Sequence, residues 1–304
     1  MNKDINSVLL QQMEISGSNL SQTTSTETHG TADVETVYWN EAYTDENIES
    51  IEYNEKPELI TLLGFSEYGK STFTGSLYQI LRTNESFADY SFVDSETLVG
   101  FERRVFLRKV NNEGKSEVKR TIRKKGSLLD IKLKNKTDNS VRRILLSDGA
   151  GEVYNECISK DATVIEQKAI KYANRLLVFV NCEEFSDPTK PWKDSLKTLL
   201  ERFSRNDMLP INAKIYLVVN KYDKIARLEK NKVEEYIEEI FHIVSDYLTI
   251  YKKDIYRIVS TGLNIEKEDE GLTNLITSLL SPINRNENRY NELDWLATAT
   301  KNIK

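Results

Sequence analysis

Residues 59–72 read Leu59-Ile60-Thr61-Leu62-Leu63-Gly64-Phe65-Ser66-Glu67-Tyr68-Gly69-Lys70-Ser71-Thr72. The apolar run at the start, closing on glycine, is the pattern of a strand buried on both faces. Phe73, Leu77, Ile80 and Leu81 then recur at helical spacing. Between strand and helix lies G-x-x-x-x-G-K-S, a phosphate-binding loop in the context that the motif requires. Gly64 and Gly69 let the backbone wrap closely, so that amide N–H groups face phosphate oxygens. The helix beginning near Lys70 offers its positive end to the same anion. Lys70 can reach the β- and γ-phosphates, and the Ser71 hydroxyl can ligate Mg²⁺. The candidate nucleotide-binding residues here are Gly64, Glu67, Tyr68, Gly69, Lys70, Ser71 and Thr72. The alternative is an ordinary glycine turn, which the strand and helix on either side disfavour.

Working outward, residues 145–152 read Leu-Leu-Ser-Asp148-Gly-Ala-Gly151-Glu152. An Asp at the carboxyl end of a buried strand faces the ligand crevice of an α/β sheet. Asp148 would hold Mg²⁺ through a water, and the Gly151 amide would sense a γ-phosphate. Further on, Asn220-Lys221-Tyr222-Asp223 follows an apolar strand. A carboxylate at 223 accepts from guanine N1–H and its exocyclic amine together, whereas adenine would leave it unpaired. Lys221 can lie against the base, and Asn220 can tie neighbouring loops. Ser260-Thr261-Gly262 follows the last strand, where a backbone amide could meet the guanine oxygen. Each of these has a bland alternative as a turn or loop. Their order, each at a strand end, is what argues for one site.

The remaining pattern alternates strand and helix. Strands are expected at 127–134, 141–147, 176–181, 215–219 and 255–260, with a turn at 135–140. Helices are expected near 161–173 and along the stripes Trp192 to Phe203, Val233 to Val244 and Leu272 to Leu279. Residues 83–126 read as irregular and polar. The expected fold is α/β: a mostly parallel six-stranded sheet with one antiparallel edge strand and helices on both faces.

Charge is uneven. The 304-residue chain has a formal net charge of −6, mildly acidic, which argues against a nucleic-acid coat. Residues 1–58 carry twelve acids and two bases, net −10; residues 101–143 carry fifteen bases and five acids, net +10. Residues 16–31 are mostly Ser, Thr and Gly, a composition too polar to offset its ordering entropy. Residues 37–53 are acidic with interspersed aromatics, able to dock or to stay loose. The expected organisation is a largely disordered acidic segment 1–56, a nucleotide domain 57–284 with an insert at about 83–126, and a tail 285–304. Two cysteines exclude a disulfide scaffold, and no apolar run approaches membrane-helix length, so a cytoplasmic protein is expected. His29 and His242 have no partners for a triad or a zinc site.

The four motifs resemble those of the TRAFAC-class P-loop GTPases, the Ras-like and translation-factor-related enzymes, over about residues 57–284. The resemblance implies GTP and GDP as ligands, Mg²⁺, and a switch that is on with GTP. It also implies a threonine that binds Mg²⁺ when the γ-phosphate is present; Thr121 is the candidate and Thr97 the alternative. The insert beginning at Asp94 and the 145–152 segment look like GTPases of bacterial conflict and antiviral defence, double-GTPase-associated, which often act beside a second GTPase or an effector.

Two departures bear on chemistry. Glu152 stands where a Ras-like enzyme has its water-orienting glutamine, and its charge repels a γ-phosphate, so slow intrinsic hydrolysis is expected. Glu67 in the phosphate loop is tolerable only if it points outward or meets a base. The basic stretch offers three readings: a cis arginine for the transition state with Arg120 as candidate, a docking surface for an acidic partner such as the chain's own N-terminus, or a solvated hairpin face. The catalytic candidates are therefore Lys70, Thr121, Gly151, Glu152 and Arg120, and the metal candidates Ser71, Thr121 and Asp148. Rival readings are a GTP-binding adaptor that hydrolyses poorly and an ATPase with a fortuitous N-K-x-D.

Overall fold

The computed structural model describes residues 41–44, 56–106, 128–185, 187, 189–227, 230–250, 254–259 and 270–282. Strand β1 (Glu58–Leu63) lies at the centre of a seven-stranded sheet. Leu59, Ile60, Leu62 and Leu63 are at most 1% exposed, which is why the run is apolar without alternation. Burying each such side chain stabilises the fold by about 1.5–3 kcal/mol.

In chain order the further strands are β2 (Tyr90–Asp94), β3 (Leu128–Asn135), β4 (Val141–Ser147), β5 (Arg175–Asn181), β6 (Lys214–Asn220) and β7 (Ile255–Arg257). The sheet order is β2-β3-β4-β1-β5-β6-β7. Strands β4, β1, β5, β6 and β7 pair in parallel, while β3 is antiparallel to both neighbours. The expected mostly parallel sheet with one antiparallel strand is present. It has seven strands instead of six because β2 pairs on the outer side of β3. That strand is short, half exposed and interrupted by a bulge between Phe92 and Asp94. Its mixed sequence gives no clean alternation, which is why the sequence alone indicates an irregular stretch there.

The helices are α1 (Lys70–Thr83), α2 (Leu98–Phe106), α3 (Gly151–Cys157), α4 (Asp161–Ile165), α5 (Lys168–Lys171), α6 (Trp192–Arg205), α7 (Lys230–Ser245) and α8 (Glu270–Leu280). The predicted stripes are the buried faces: Phe73, Leu77 and Leu81 on α1, Leu196, Leu199 and Phe203 on α6, Val233, Ile237 and Val244 on α7, Leu275 and Leu279 on α8. The single helix expected near 161–173 is two short ones, α4 and α5. Helices α2 and α3 were not anticipated.

Two ion-pair clusters pin the sheet. Fully buried Arg175 bonds Glu58 and Tyr216 and donates to the Ser278 and Ser281 carbonyls at the end of α8; Arg142 joins Glu58 and donates to the Leu280 carbonyl. Arg143 grips Asp130 through both carboxylate oxygens at 2.9 Å. Near α2, Tyr43 bridges Leu128, and Arg103 pairs with Glu41 at 2.5 Å. Gly100 is required there, because a Cβ would lie 1.7 Å from the Glu41 carbonyl oxygen. Residues 41–43 thus pack against α2 and the start of β3. Arginines 103, 104, 142 and 143 all pair with acids, so this part of the basic stretch is not a merely solvated face.

Candidate functional site

The carboxyl ends of β1, β4, β5 and β6 all lie on one edge, since these strands are parallel and adjacent. The phosphate loop leaves β1, Asp148 follows β4, and Asn220 ends β6 in register with Asn181 of β5. The topology therefore brings three predicted motifs to one crevice.

A direct bond joins two of them. The Asn220 amide donates from Nδ2 to the Tyr68 carbonyl at 2.8 Å, tying the base loop to the phosphate loop. Gly69 makes this possible. It sits at φ 85°, in the left-handed region, and a Cβ there would fall 1.8 Å from Asn220 Nδ2. Lys221, itself at φ 57°, pairs with Glu183 on the short turn after β5. The neighbouring Glu184 accepts from the Tyr68 hydroxyl. Adjacent acids thus hold one residue from each loop. Asp223, in the short turn after β6, is exposed.

At the phosphate end, Lys70 Nζ donates to the carbonyls of Gly64 at 2.5 Å and Phe65 at 3.0 Å, and lies 5.5 Å from the centre of the Tyr154 ring. Burial pushes its ammonium down from the usual 10.5 to about 8, while the nearby charges of Asp148 and Glu152 work in the opposite direction. Glu67 is exposed at φ 65°, so the loop's acid points outward, as its tolerance requires. Thr72 is half-buried in the first turn of α1, its carbonyl accepting from the Ser76 hydroxyl.

Ser71 Oγ stands 3.4 Å from Asp148 Oδ1, the latter residue 1% exposed. Gly151 opens α3 directly against the phosphate loop; a Cβ on it would lie 2.3 Å from the Ser66 nitrogen. Glu152, half-buried, follows in the first turn. The residues fit a magnesium nucleotide. Among the described residues there is no cluster of three or more acidic, His or Cys side chains to cage a metal. One hydroxyl and one carboxylate, completed by phosphate oxygens and waters, is how Mg²⁺ is commonly held beside a nucleotide. Among the described residues the buried Ser66 Oγ has no hydrogen-bond partner, an orphan within the loop that a phosphate oxygen could satisfy.

Sequence reasoning missed two residues. Ser66 lies in the quoted loop but is not among its sequence candidates. Arg104 was counted in the basic stretch, but the favoured cation was Arg120. The structure puts Arg104 Nε 2.7 Å from Asp148 Oδ2, with the arginine only 8% exposed. Arg120, Thr121, Ser260, Thr261 and Gly262 lie outside the described residues. Thr97, the alternative switch threonine, is fully buried, and its hydroxyl accepts from the Asp130 amide at 2.8 Å. In this conformation it pins the start of α2 to β3.

A family model described as Double-GTPase 2 matches residues 58–279. The chain belongs to the Double-GTPase 2 family. This membership supports binding of guanine nucleotide, and the matched span runs from the start of β1 almost to the end of α8. Among solved structures, the chain is similar to the Methanosarcina barkeri Roco2 RocCORdC bound to GDP, with a TM-score of 0.35 and 14% identity. That match covers 75% of this chain and 50% of the other, so the chain spans half the length of that relative. It is also similar to the signal recognition particle receptor SRb-GTP/SRX complex from Chaetomium thermophilum, with a TM-score of 0.38 and 11% identity, covering 75% of this chain and 98% of the other. No curated protein sequence matches the chain. Among the described residues no helix is long and apolar enough to cross a membrane.

Proposed function

We propose that this Double-GTPase 2 protein is a Mg²⁺-dependent, GTP-hydrolysing switch of the TRAFAC class with slow intrinsic turnover. The observation that carries this reading is the Asn220–Tyr68 bond, which joins a guanine-reading loop to a phosphate-binding loop on one sheet edge. The nucleotide domain is 57–284, flanked by the acidic segment 1–56 and the tail 285–304, with the insert at 83–126.

In this reading the backbone amides of the loop from Gly64 to Gly69 hold the phosphates, and Lys70 turns from its carbonyl partners to the β- and γ-oxygens. Asp223 accepts from the guanine edge, Lys221 flanks the base, and the Ser260-Thr261-Gly262 segment would offer a backbone amide to the guanine oxygen. Ser71, Asp148 and the switch residue Thr121 would hold Mg²⁺, which neutralises phosphate charge when bound. The Gly151 amide meets the γ-phosphate. Glu152, close enough to Lys70 to influence its ionisation, faces the attacking water with the wrong charge. A negative side chain beside a γ-phosphate raises the barrier to in-line attack, so hydrolysis is slow. Arg120 is the candidate for transition-state charge neutralisation.

The same Glu152 favours a second reading, a GTP-binding adaptor that assembles a complex without consuming nucleotide. Single-turnover phosphate release from a GTP-loaded sample separates the two. Slow first-order release supports the switch, and no release over hours supports the adaptor. Membership in a Double-GTPase family supports a second GTPase or an effector as partner, and a role in bacterial defence in the cytoplasm belongs to the same proposal. Co-purification of a GTP-dependent, but not GDP-dependent, partner would test this.

A further inference from the structure

We infer that Arg104 is a placeholder counter-charge: it neutralises the metal-shell carboxylate of Asp148 while the site is without metal, and so makes loading of Mg²⁺ compete with the anchoring of helix α2. The inference rests on the nucleotide-site reading above and concerns its regulation.

Asp148 is almost wholly buried, and a buried carboxylate without cationic partners is costly. Its oxygens are divided. Oδ1 faces Ser71 Oγ, the other residue that would hold the metal, at 3.4 Å, and Oδ2 accepts from Arg104 Nε at 2.7 Å. The guanidinium is fixed on its own helix as well, with Nη1 donating to the Gly100 carbonyl at 2.9 Å. Among the described residues, Lys70 also interacts electrostatically with Asp148. The arginine therefore brings α2, whose next basic residue Arg103 holds Glu41, onto the same carboxylate that a metal would use.

A dication held by Ser71 and Asp148 would draw on the same negative charge and repel the nearby guanidinium at low dielectric. Both effects weaken the Arg104 tie. Conversely, Arg104 stabilises the metal-free state and thereby lowers metal affinity. This is reciprocal coupling: whatever Arg104 takes from the metal, the metal takes from the anchoring of α2.

The test uses the full chain and a fluorescent GDP analogue. Its dissociation rate is followed against Mg²⁺ concentration for wild type, Arg104→Gln and Arg104→Lys, with a parallel measurement in EDTA. Arg104→Gln should need about tenfold less Mg²⁺ for half-maximal slowing, since a repelling unit charge is gone, and Arg104→Lys should stay near wild type. An unchanged or raised Mg²⁺ requirement in Arg104→Gln overturns the inference, a raised one showing that the arginine merely orients Asp148. In case the variants fail to fold, hydrogen exchange of residues 98–106 in wild type supplies an independent reading. Exchange faster in Mg²⁺·GDP than in GDP with EDTA supports the placeholder, and equal or slower exchange overturns it. Failure of wild type to bind GDP at all would strike the nucleotide-site reading itself; binding with the wrong metal response strikes only the role of Arg104.

Discussion

Replacing Gly69 by alanine tests the junction between the two loops quantitatively. At φ 85° an L-residue costs about 1–2 kcal/mol relative to glycine. The added Cβ would also lie 1.8 Å from Asn220 Nδ2, so the amide must withdraw from the Tyr68 carbonyl. Leaving that buried carbonyl without its donor costs about 1–3 kcal/mol more. The sum is about 2–5 kcal/mol of lost stability. Asn220→Ala removes the hydrogen bond alone and should cost only the second part. Because both changes break one bond, the double variant should be less destabilised than the sum of the singles by about 1–3 kcal/mol. Urea unfolding of the nucleotide-free proteins measures all four corners, with an unchanged denaturant slope as the check that the unfolded state is comparable. A Gly69→Ala variant within about 0.5 kcal/mol of wild type, or strict additivity with Asn220→Ala, would refute the reasoning.

Four further outcomes are expected. Free Lys70 has a pKa of about 8, and bound phosphates raise it, so binding takes up a proton: GDP affinity should fall as pH rises through 8, and a flat profile from pH 6.5 to 9.5 would contradict the assignment. In the same alkaline window the nucleotide-free fold binds fewer protons than the unfolded chain at this lysine, so its contribution to stability rises with pH, as urea titrations can check. Asp223→Asn should transfer preference from guanosine to xanthosine diphosphate, measured by competition, because the amide donates where the carboxylate accepted. Glu152→Gln should speed single-turnover GTP hydrolysis by about tenfold or more, measured by phosphate release.

Much of the architecture was legible because its signals are local. The run at 59–63 and the stripes on α1, α6, α7 and α8 report burial directly, and the structure buries those residues. The phosphate loop was legible because its glycines answer a backbone requirement that few other residues meet. Strand β2 and helix α2 were not, since their formation depends on distant partners. Strand β2 exists through pairing with β3, some forty residues later in the chain, and α2 through Gly100 fitting beneath Glu41. Arg104 shows the same limit. In sequence it is one of fifteen bases between 101 and 143, and only its pairing with Asp148, just past the end of β4, singles it out. A charge run fixes electrostatic sign but not pairing, which is a property of the fold.

The central claim is that a guanine nucleotide is gripped between the phosphate loop and the Asn220–Asp223 loop. Calorimetric titration of the full chain with GDP, and separately with ADP, each with Mg²⁺, tests it most directly. The account predicts saturable binding of GDP at one site and no competing binding of ADP. Absence of heat with GDP, or equal affinity for ADP, would contradict it.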